Sequence, residues 1–365
     1  MKRGLKQYFP MIRTRQEVLD EIWQNQQLVS IYSGWTPEQR ESFLDFCTGV
    51  RGIKLLYDSF FKEIINPEYT PERLEEFLSL ILRQKVTIKT ILPGDSSRIA
   101  DENSLLIMDI LVELEDGRLV NVEVPKIGYL FPGARSACYS ADLLLRQYKR
   151  IKSEKREHFN YKDVKGVYTI VLFERSPREF HGFPENYIHY GKQQFDTGLK
   201  MDLLQRYIFI PLDIFKQNLQ NKGIRNDLDA WLTFLCEDEP GIIEQLIQQY
   251  PKFIPMYEDI YQLCRNMEKV MGLYSKELQM MDRNTVQFMI DEQEELIEKQ
   301  REQLNKKDEE LAQKSEQLSQ KDEQLSQKDE QLSQKDELLD QKEELLIEKD
   351  RKIEQLERLL AEKRK

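Results

Sequence analysis

Two acidic residues near the middle of the sequence, Asp109 and Glu123, could together bind a divalent metal ion. Each lies in a segment of alternating apolar residues, which predicts two β-strands with the acids on their less apolar faces. The alternating apolar residues are Met108, Ile110, Val112 and Leu114 in the first segment, and Val120, Val122 and Val124 in the second. In a hairpin, directly opposed carboxylates would have Cβ atoms about 5 Å apart and would repel each other. A hard cation with oxygen ligands at about 2.1 Å would offset that repulsion.

The turn between the strands decides whether the acids face each other, because a shift of one residue moves every side chain to the opposite face. A three-residue loop over residues 115–117, with Gly117 in the left-handed region, pairs Asp109 with Glu123. A two-residue turn over residues 116–117 would place the apolar sets on opposite sides of the ribbon. Burial of the apolar residues favours the first register and therefore two facing carboxylates. An ordinary hairpin whose acids face solvent is the alternative.

Helix and strand signals on both sides of the hairpin predict an α/β fold. Thr36-Pro37 and Thr70-Pro71 each combine an N-cap residue with a proline in the first helical turn. The predicted helices cover residues 37–47, 53–65, 71–83 and 135–156, and a helical region covers about 227–276. The predicted strands cover 86–92, 105–114, 119–124, 164–173 and 206–212. The order helix, three strands, helix, strand indicates a mixed sheet flanked by helices.

An apolar residue recurs at every seventh position of the C-terminal region, which predicts a long heptad helix. The recurring residues are Ile290, Ile297, Leu304, Leu311, Leu318, Leu325, Leu332, Leu339, Leu346, Ile353 and Leu360. The second seam position is polar or charged, for example Asp322 or Lys328, so the apolar seam is thin. Two interpretations stay open: a weak parallel coiled coil that makes the chain a homo-oligomer, and a partly solvated or frayed single helix. The chain thus divides into an N-terminal helical segment (1–52), a domain that contains the hairpin (53–285) and a heptad segment (286–365).

The net charge of −11 belongs mainly to the heptad segment, since residues 291–365 carry 16 basic and 24 acidic side chains. The remaining chain is nearly neutral and contains a basic run over residues 149–156. Its basic residues are Lys149, Arg150, Lys152, Lys155 and Arg156. Such a run can bind the phosphates of DNA. A solvated helix face explains it equally well.

Neither export nor a membrane span is indicated, because the sequence has no run of about 18 apolar residues and no apolar core after Met1. We therefore expect a cytoplasmic protein. The cysteines Cys47, Cys138, Cys236 and Cys264 are widely separated in apolar, helical surroundings, so buried reduced thiols are expected. Neither CxxC nor HxH spacing occurs, and zinc is not expected.

Several short blocks in a defined order resemble one known family over nearly all of residues 40–280. The blocks are Asp45-Phe46, Gly49, Gly52, Tyr57-Asp58, Phe61-Lys62, Pro71-Glu72-Arg73-Leu74, Asp109-Ile110, Asn121-Val122-Glu123, Arg135 with Tyr139, Gln147, and Trp231-Leu232-Thr233-Phe234-Leu235. In these blocks the sequence resembles the PD-(D/E)XK nuclease family transposases, which are related to the recombination-promoting nucleases. The resemblance implies a restriction-endonuclease-like core that hydrolyses DNA phosphodiester bonds with Mg²⁺ or Mn²⁺.

The resemblance also implies roles for individual residues. Asp109 and Glu123 would be the metal ligands. Asp58 and Lys62, one turn apart on a predicted helix, would line the site, although a surface ion pair explains their spacing as well. Gln147 is carried over as a further polar residue of the site.

One position departs from the family pattern, in which the glutamate strand continues as Glu-x-Lys or Glu-x-Gln. Here Glu123 is followed two positions later by Pro125, which cannot orient or activate a water and interrupts a strand. Lys126 should point to the other face, whereas Lys62 or Gln147 could substitute from neighbouring helices. Metal binding is therefore expected to survive more readily than cleavage. A DNA endonuclease and a catalytically impaired DNA-binding or interaction module both stay open, with a coiled-coil scaffold as a third interpretation.

Overall fold

A mixed β-sheet is the central element of the computed structural model, which describes residues 5–56, 58–92, 110–124 and 132–363. The described strands are β1 (Ile88–Leu92), β2 (Ile110–Leu114), β3 (Leu119–Glu123), β4 (Val167–Phe173), β5 (His189–Lys192) and β6 (Gln205–Pro211). Their spatial order is β1-β2-β3-β4-β6-β5. Neighbours β3, β4 and β6 are parallel, and the other pairings are antiparallel. This mixed sheet with flanking helices confirms the predicted α/β class.

Five of the described helices lie before β1, and their buried residues share one core with the sheet. They are α1 (Arg15–Gln24), α2 (Gln26–Gly34), α3 (Pro37–Cys47), α4 (Asp58–Ile64) and α5 (Pro71–Leu82). At the start of α3, the Thr36 side chain accepts a hydrogen bond from the Gln39 N–H, and Pro37 occupies the first turn. The predicted start of α3 is therefore confirmed. Helix α5 also starts at the predicted proline, Pro71, but the Thr70 side chain makes no capping hydrogen bond.

A long helix, α6 (Pro132–Lys155), covers one face of the sheet and connects β3 with its parallel neighbour β4. Leu143 on α6 packs with Leu111, Leu119 and Val167 from β2, β3 and β4. The other face joins the main core through the alternating apolar set, namely Ile110, Val112, Leu114, Val120, Val122 and Val124. The predicted alternation is therefore confirmed, and it leaves the remaining hairpin side chains on the face under α6.

The helices after the sheet complete the main core. They are α7 (Leu212–Lys222), α8 (Asp227–Cys236), α9 (Pro240–Gln249), α10 (Ile254–Leu263) and α11 (Met267–Lys363). Trp231, Thr233 and Phe234 on α8 are fully buried. Their sequence block therefore contributes packing rather than chemistry.

The helix predicted over residues 53–65 is shorter in the structure, because α4 begins only at Asp58. The Gly52 N–H donates to the Asp238 carbonyl at 2.7 Å, which ties the preceding segment to a distant part of the chain. A Cβ at Gly52 would lie 2.4 Å from the Ile243 side chain. This close tertiary contact overrides the local helical pattern.

Two elements near the end of the sheet lack a clear signal in the sequence. Strand β5 has four residues, includes Gly191 and shows no apolar alternation. Helix α7 starts directly after Pro211, which provides no side-chain N-cap. Their pairing and packing with the longer strand β6 and helix α8 define both elements.

The four cysteines are free thiols, and Cys47, Cys236 and Cys264 are buried as expected. The prediction is wrong for Cys138, which is exposed. Cys138 lies on the outer side of α6, whereas its neighbours Ser136 and Tyr139 are buried. In an amphipathic helix, adjacent residues belong to different faces even when the whole segment looks apolar.

The chain separates into two units, Met1–Asp291 and Glu292–Lys365. The second unit continues α11 as a helix, which confirms the helical prediction. The heptad residues from Ile297 to Ile353 are exposed, from 48% at Ile297 to 63% at Leu311. Pairing with another copy stays a prediction. Among the described residues, no helix combines the length and the apolar character needed to cross a lipid bilayer.

Candidate active site

The hairpin of β2 and β3 has the register that burial favours. Ile110 pairs with Val122, and the register is regular along both strands. Gly117 adopts φ +83, and its N–H donates to the Leu114 carbonyl at 2.9 Å. The predicted three-residue loop with a left-handed glycine is therefore confirmed.

Glu123 is the last residue of β3 and is only 2% exposed. It shares its sheet face with Asn121, which is fully buried and pairs with Leu111 on the face under α6. Asn121 Nδ2 donates to Glu123 Oε1 at 2.7 Å. Charge-assisted hydrogen bonds of this kind are short and strong. Asn121 therefore fixes one oxygen of the Glu123 carboxylate.

A buried polar layer lies between the sheet and α6, on the sheet face that Glu123 shares. Thr169 on β4 is the register partner of Asn121 and is fully buried. Ser140 on α6 is also fully buried, but its Oγ accepts a hydrogen bond from Gln205 Nε2 at 3.1 Å. Gln205 is in register with Val167 and Leu119, so this contact lies towards the turn end of β3. Among the described residues, Asn121 Oδ1 and Thr169 Oγ1 have no hydrogen-bond partner. Buried polar atoms are normally paired, so these two oxygens are exceptions next to an acidic side chain.

The donors of this layer fit a hard divalent cation, because carboxylate and carbonyl oxygens are the ligands that Mg²⁺ and Mn²⁺ prefer. Glu123 supplies a carboxylate, and Asn121 Oδ1 is an unpaired amide oxygen beside it. Within the described ranges, no three His, Cys, Asp or Glu side chains group closely enough to hold a metal ion. The second predicted ligand, Asp109, lies outside the described residues, as do Pro125 and Lys126.

Asp58 and Lys62 both belong to α4, four residues apart. The helical spacing expected for them is confirmed. Lys62 is half-buried, whereas the side chain of Asp58 is outside the described part of the chain. Their place beside Glu123 stays a prediction.

Gln147 lies at the opposite end of β3 from Glu123. Its Oε1 accepts a hydrogen bond from the Lys165 N–H at 2.6 Å, and its Nε2 donates to the Gly117 carbonyl at 3.3 Å. Gly117 precedes β3 and Glu123 ends it, so the full length of the strand separates Gln147 from the carboxylate. The structure corrects the expectation that Gln147 belongs to the site. Its amide binds backbone groups of the turn and cannot replace the side chain missing at Pro125.

Glu113 is a second buried acid, at the turn end of β2, and is 6% exposed. It accepts a hydrogen bond from Lys89 at 2.9 Å and forms an ion pair with Arg150 at 2.7 Å. Burial alone would raise the pKa of Glu113, but the two cations hold this pKa below its usual value. Arg150 belongs to the basic run, which therefore lies towards the turn end of the sheet and not beside Glu123.

Sequence reasoning missed the contacts of Asn121 and Glu113. A signal for Asn121 was present, because period two places it on the face of Glu123 in an otherwise apolar strand. Glu113 carried no comparable signal, since its partners come from β1 and α6. Only the tertiary fold brings these charges together.

Comparison with known proteins identifies one family. The family model described as PD-(D/E)XK nuclease family transposase matches residues 55–289. The match includes the hairpin, α6 and the strands that follow. No curated protein and no solved structure gives a significant match.

Proposed function

Because the chain belongs to the PD-(D/E)XK nuclease family transposases, we propose that it is a DNA endonuclease that uses Mg²⁺ or Mn²⁺, with Asp109 and Glu123 as metal ligands. The family indicates a nuclease, and nucleases of this type usually use divalent metal ions. The observation that carries the proposal is the buried Glu123, held by Asn121 at the end of β3. The observed pairing of Ile110 with Val122 supports the proposed pairing of Asp109 with Glu123 at the next position.

A bound divalent ion would activate a water and stabilise the negative charge that develops on the phosphate. The role of Glu123 is to present a carboxylate oxygen from a fixed position, since burial and the Asn121 hydrogen bond restrict its rotation. Burial also strengthens electrostatic interactions in the site. Asp58 and Lys62 are proposed to line the site from α4, and Lys62 is the proposed substitute for the missing lysine of the motif.

A catalytically impaired module that binds DNA or another macromolecule is the second candidate function. The observation in its favour is Pro125, where the family has lysine or glutamine. Proline supplies neither a donor nor a charge to a water molecule. Gln147, at the far end of β3, offers no replacement.

Cleavage of supercoiled plasmid with Mg²⁺ or Mn²⁺ tests the nuclease. The Asp109→Ala/Glu123→Ala variant should lose cutting, because it removes both proposed ligands. The matched control is Glu115→Ala/Asp116→Ala, which removes two exposed acids from the turn of the same hairpin and should cut normally. Undiminished cutting without Asp109 and Glu123 would refute the site.

The Pro125→Gln variant separates the two candidate functions. If the wild type does not cut and Pro125→Gln does, the proline is the lesion and the chain is an impaired nuclease. If both cut, Lys62 or another group supplies the missing function. A Lys62→Ala variant that still cuts at the wild-type rate would exclude Lys62.

The proposed DNA partner requires a positively charged surface, and the basic run over residues 149–156 is the proposed phosphate contact. Arg150, Lys152 and Lys155 already bind partners within the chain. Lys149 and Arg156 are exposed and available to phosphates. Since the run lies towards the turn end of the sheet, it would contact DNA away from the scissile phosphate.

Self-association through the heptad helix is also proposed. An isolated polar helix needs stabilising pairs of opposite charge three or four residues apart. In the repeats, Lys321 is followed directly by Asp322 and Glu323, and the next lysine, Lys328, is five residues beyond Glu323. Over residues 302–347, which the structure describes throughout, no ion pair forms. A second copy that covers the leucine seam would supply the missing stabilisation.

Light scattering of the full-length chain tests this association. Leu318→Lys/Leu325→Lys/Leu332→Lys should reduce the measured mass to that of a monomer. The control Gln320→Lys/Gln327→Lys/Gln334→Lys adds the same charge to positions outside the seam and should keep the oligomer. Equal masses for wild type and both variants would refute pairing through the leucines.

The proposed location is the cytoplasm. Its support is the set of four free thiols, of which Cys138 is exposed. Free thiols persist in a reducing compartment and tend to form disulfides in an oxidising one. Fractionation of cells that express the chain would test the location.

A further inference from the structure

We propose that an aromatic and basic patch around Tyr161, distant from Glu123, binds single-stranded DNA by base stacking. The patch consists of the aromatic residues Tyr148, Phe159 and Tyr161 and the basic residues Lys149, Lys152, Lys155, Arg156 and Lys162. The patch would determine which form of DNA the proposed nuclease binds. This inference rests on the proposed function only for the choice of DNA as the nucleic acid.

Three aromatic rings form a platform at the end of α6. Tyr148 and Tyr161 are nearly parallel, with ring centroids 6.0 Å apart and an interplanar angle of 9°. Phe159 meets both rings edge-on, at 5.4 Å from Tyr148 and 5.3 Å from Tyr161. Tyr161 is nevertheless 75% exposed, so one side of the platform is open. An open aromatic face of this kind can stack against an unpaired base.

The segment that presents Tyr161 is fixed by hydrogen bonds. The Asn160 side chain accepts from the Lys162 N–H at 3.0 Å, and the Asp163 carboxylate accepts from the Asn160 N–H at 2.9 Å. Asp163 also pairs with Lys155 of α6 at 2.7 Å. The ring is therefore held in place before a ligand arrives, which reduces the entropy lost on binding.

Basic residues close in sequence to the three rings supply cations for a sugar-phosphate backbone. Lys152 Nζ lies 5.2 Å from the centre of the Tyr148 ring and donates to the Tyr148 hydroxyl at 2.8 Å. Lys149, Arg156 and Lys162 are exposed. Residues 148–165 contain seven Lys or Arg and three Asp or Glu, although the chain as a whole carries −11. This local excess of positive charge is opposite to the charge of the rest of the chain and matches a polyanion.

The combination favours a single strand over a duplex. Bases within a duplex are stacked on one another and offer no free face, whereas a single strand presents both faces and a flexible backbone. A patch for duplex phosphates alone would need the cations but not the exposed rings. The contacts of Gln147 and Arg150 place this end of α6 at the turn of the hairpin. The bound single strand of DNA would therefore lie away from Glu123.

Fluorescence anisotropy with the full-length protein tests the proposal, without metal so that cleavage cannot occur. The probe is a labelled oligo(dT) of about 16 nucleotides, the upper end of common single-strand site sizes. Tyr161→Ala should raise its Kd by roughly tenfold, the expected loss of one stacked base. Tyr161→Phe should bind like the wild type because it keeps the ring. The control is Tyr69→Ala, which removes a tyrosine that is 80% exposed elsewhere and should have no effect.

The cations are tested by the salt dependence of the same binding. Lys149→Glu/Lys162→Glu should weaken binding and reduce the slope of log K against log salt by about 0.7 for each lost phosphate contact. Lys85→Glu/Lys276→Glu changes the charge of two exposed lysines outside the patch by the same amount and should keep the wild-type slope. Circular dichroism checks that all variants are folded.

Three outcomes would overturn the proposal: equal loss of affinity in Tyr161→Ala and Tyr69→Ala, no loss in either, or duplex DNA bound as tightly as oligo(dT). Binding of the matching RNA at equal affinity would support the patch and identify its ligand as any single-stranded nucleic acid.

The same measurements distinguish a failure of the proposed nuclease activity from a failure of the proposed DNA-binding patch. If the wild type does not cut DNA but Tyr161→Ala alone weakens oligo(dT) binding, the nuclease is refuted and the patch is supported. If the wild type cuts DNA and Tyr161→Ala binds oligo(dT) normally, the nuclease is supported and the patch is refuted.

Discussion

The two ends of β3 both contain buried polar side chains, but they use them differently. At the turn end, Glu113 is paired with Lys89 and Arg150, and the Gln147 amide binds backbone groups through both of its polar atoms. At the other end, Glu123 lies in a layer where oxygens on two neighbouring side chains have no partner among the described residues. Satisfied polar contacts stabilise a fold, whereas unsatisfied ones are typical of places that bind a ligand. We therefore expect stability to depend on the turn end and activity on the Glu123 end.

The largest expected effect is on cleavage. Glu123→Gln keeps the shape of the side chain and an oxygen that can accept the Asn121 hydrogen bond, but it removes the charge. Plasmid cleavage should fall by about a thousandfold, as expected for the loss of several kcal/mol of transition-state stabilisation. The thermal unfolding midpoint should not decrease. If Glu123→Gln unfolds at a lower temperature and still cuts DNA, Glu123 contributes to stability and not to activity.

The next effect is on stability at the turn end. Lys89→Ala/Arg150→Ala leaves the buried Glu113 without its two cations and should lower the free energy of unfolding by about 2 kcal/mol. This value is at the low end for a buried ion pair because the Lys89 and Arg150 side chains are 57% and 36% exposed. Adding Glu113→Gln should recover part of the loss, as measured by urea unfolding. No recovery would show that the charge of Glu113 is unimportant.

The same carboxylate predicts a pH dependence. Because the folded-state pKa of Glu113 is below its ordinary value of 4.5, its contribution to stability is present above that pH and is lost as the pH falls through the lowered folded value. Between about pH 6 and about pH 3, Glu113→Gln should therefore lose less stability than the wild type. Urea unfolding across this range measures the difference. Parallel curves for the two proteins would contradict it.

The smallest expected effect is at Gln147, which tests its position at the turn end of β3, away from Glu123. Gln147→Leu leaves the Lys165 N–H and the Gly117 carbonyl without their partner, which should lower the free energy of unfolding by about 1–2 kcal/mol. Cleavage per folded molecule should stay at the wild-type level, measured well below the unfolding midpoint. A large loss of cleavage with unchanged stability would return Gln147 to the active site.

Sequence reasoning succeeds here where a local pattern has one physical solution. The apolar alternation of the hairpin can be buried only if the turn contains three residues, and the structure has that turn with Gly117 at positive φ. It fails where distant residues decide the outcome. The position of Gln147 depends on how far α6 runs back along the sheet, and the start of α4 depends on the contact of Gly52 with Asp238. The place of Glu123 on the less apolar face of its strand could be anticipated, but its burial and the unpaired oxygens in its layer could not.

The identical seven-residue units in α11, residues 320–326 and 327–333, have a geometric consequence. One unit adds about 10.5 Å of helix and nearly two complete turns, so it shifts the seam by only about 20°. Gain or loss of seven codons would therefore change the length of the tail and leave the leucines aligned. An insertion of three or four residues would move the following leucines to another face, and it would locally overwind or unwind the proposed coiled coil. The length of the helix can therefore change in steps of about 10.5 Å while its leucines stay on one face.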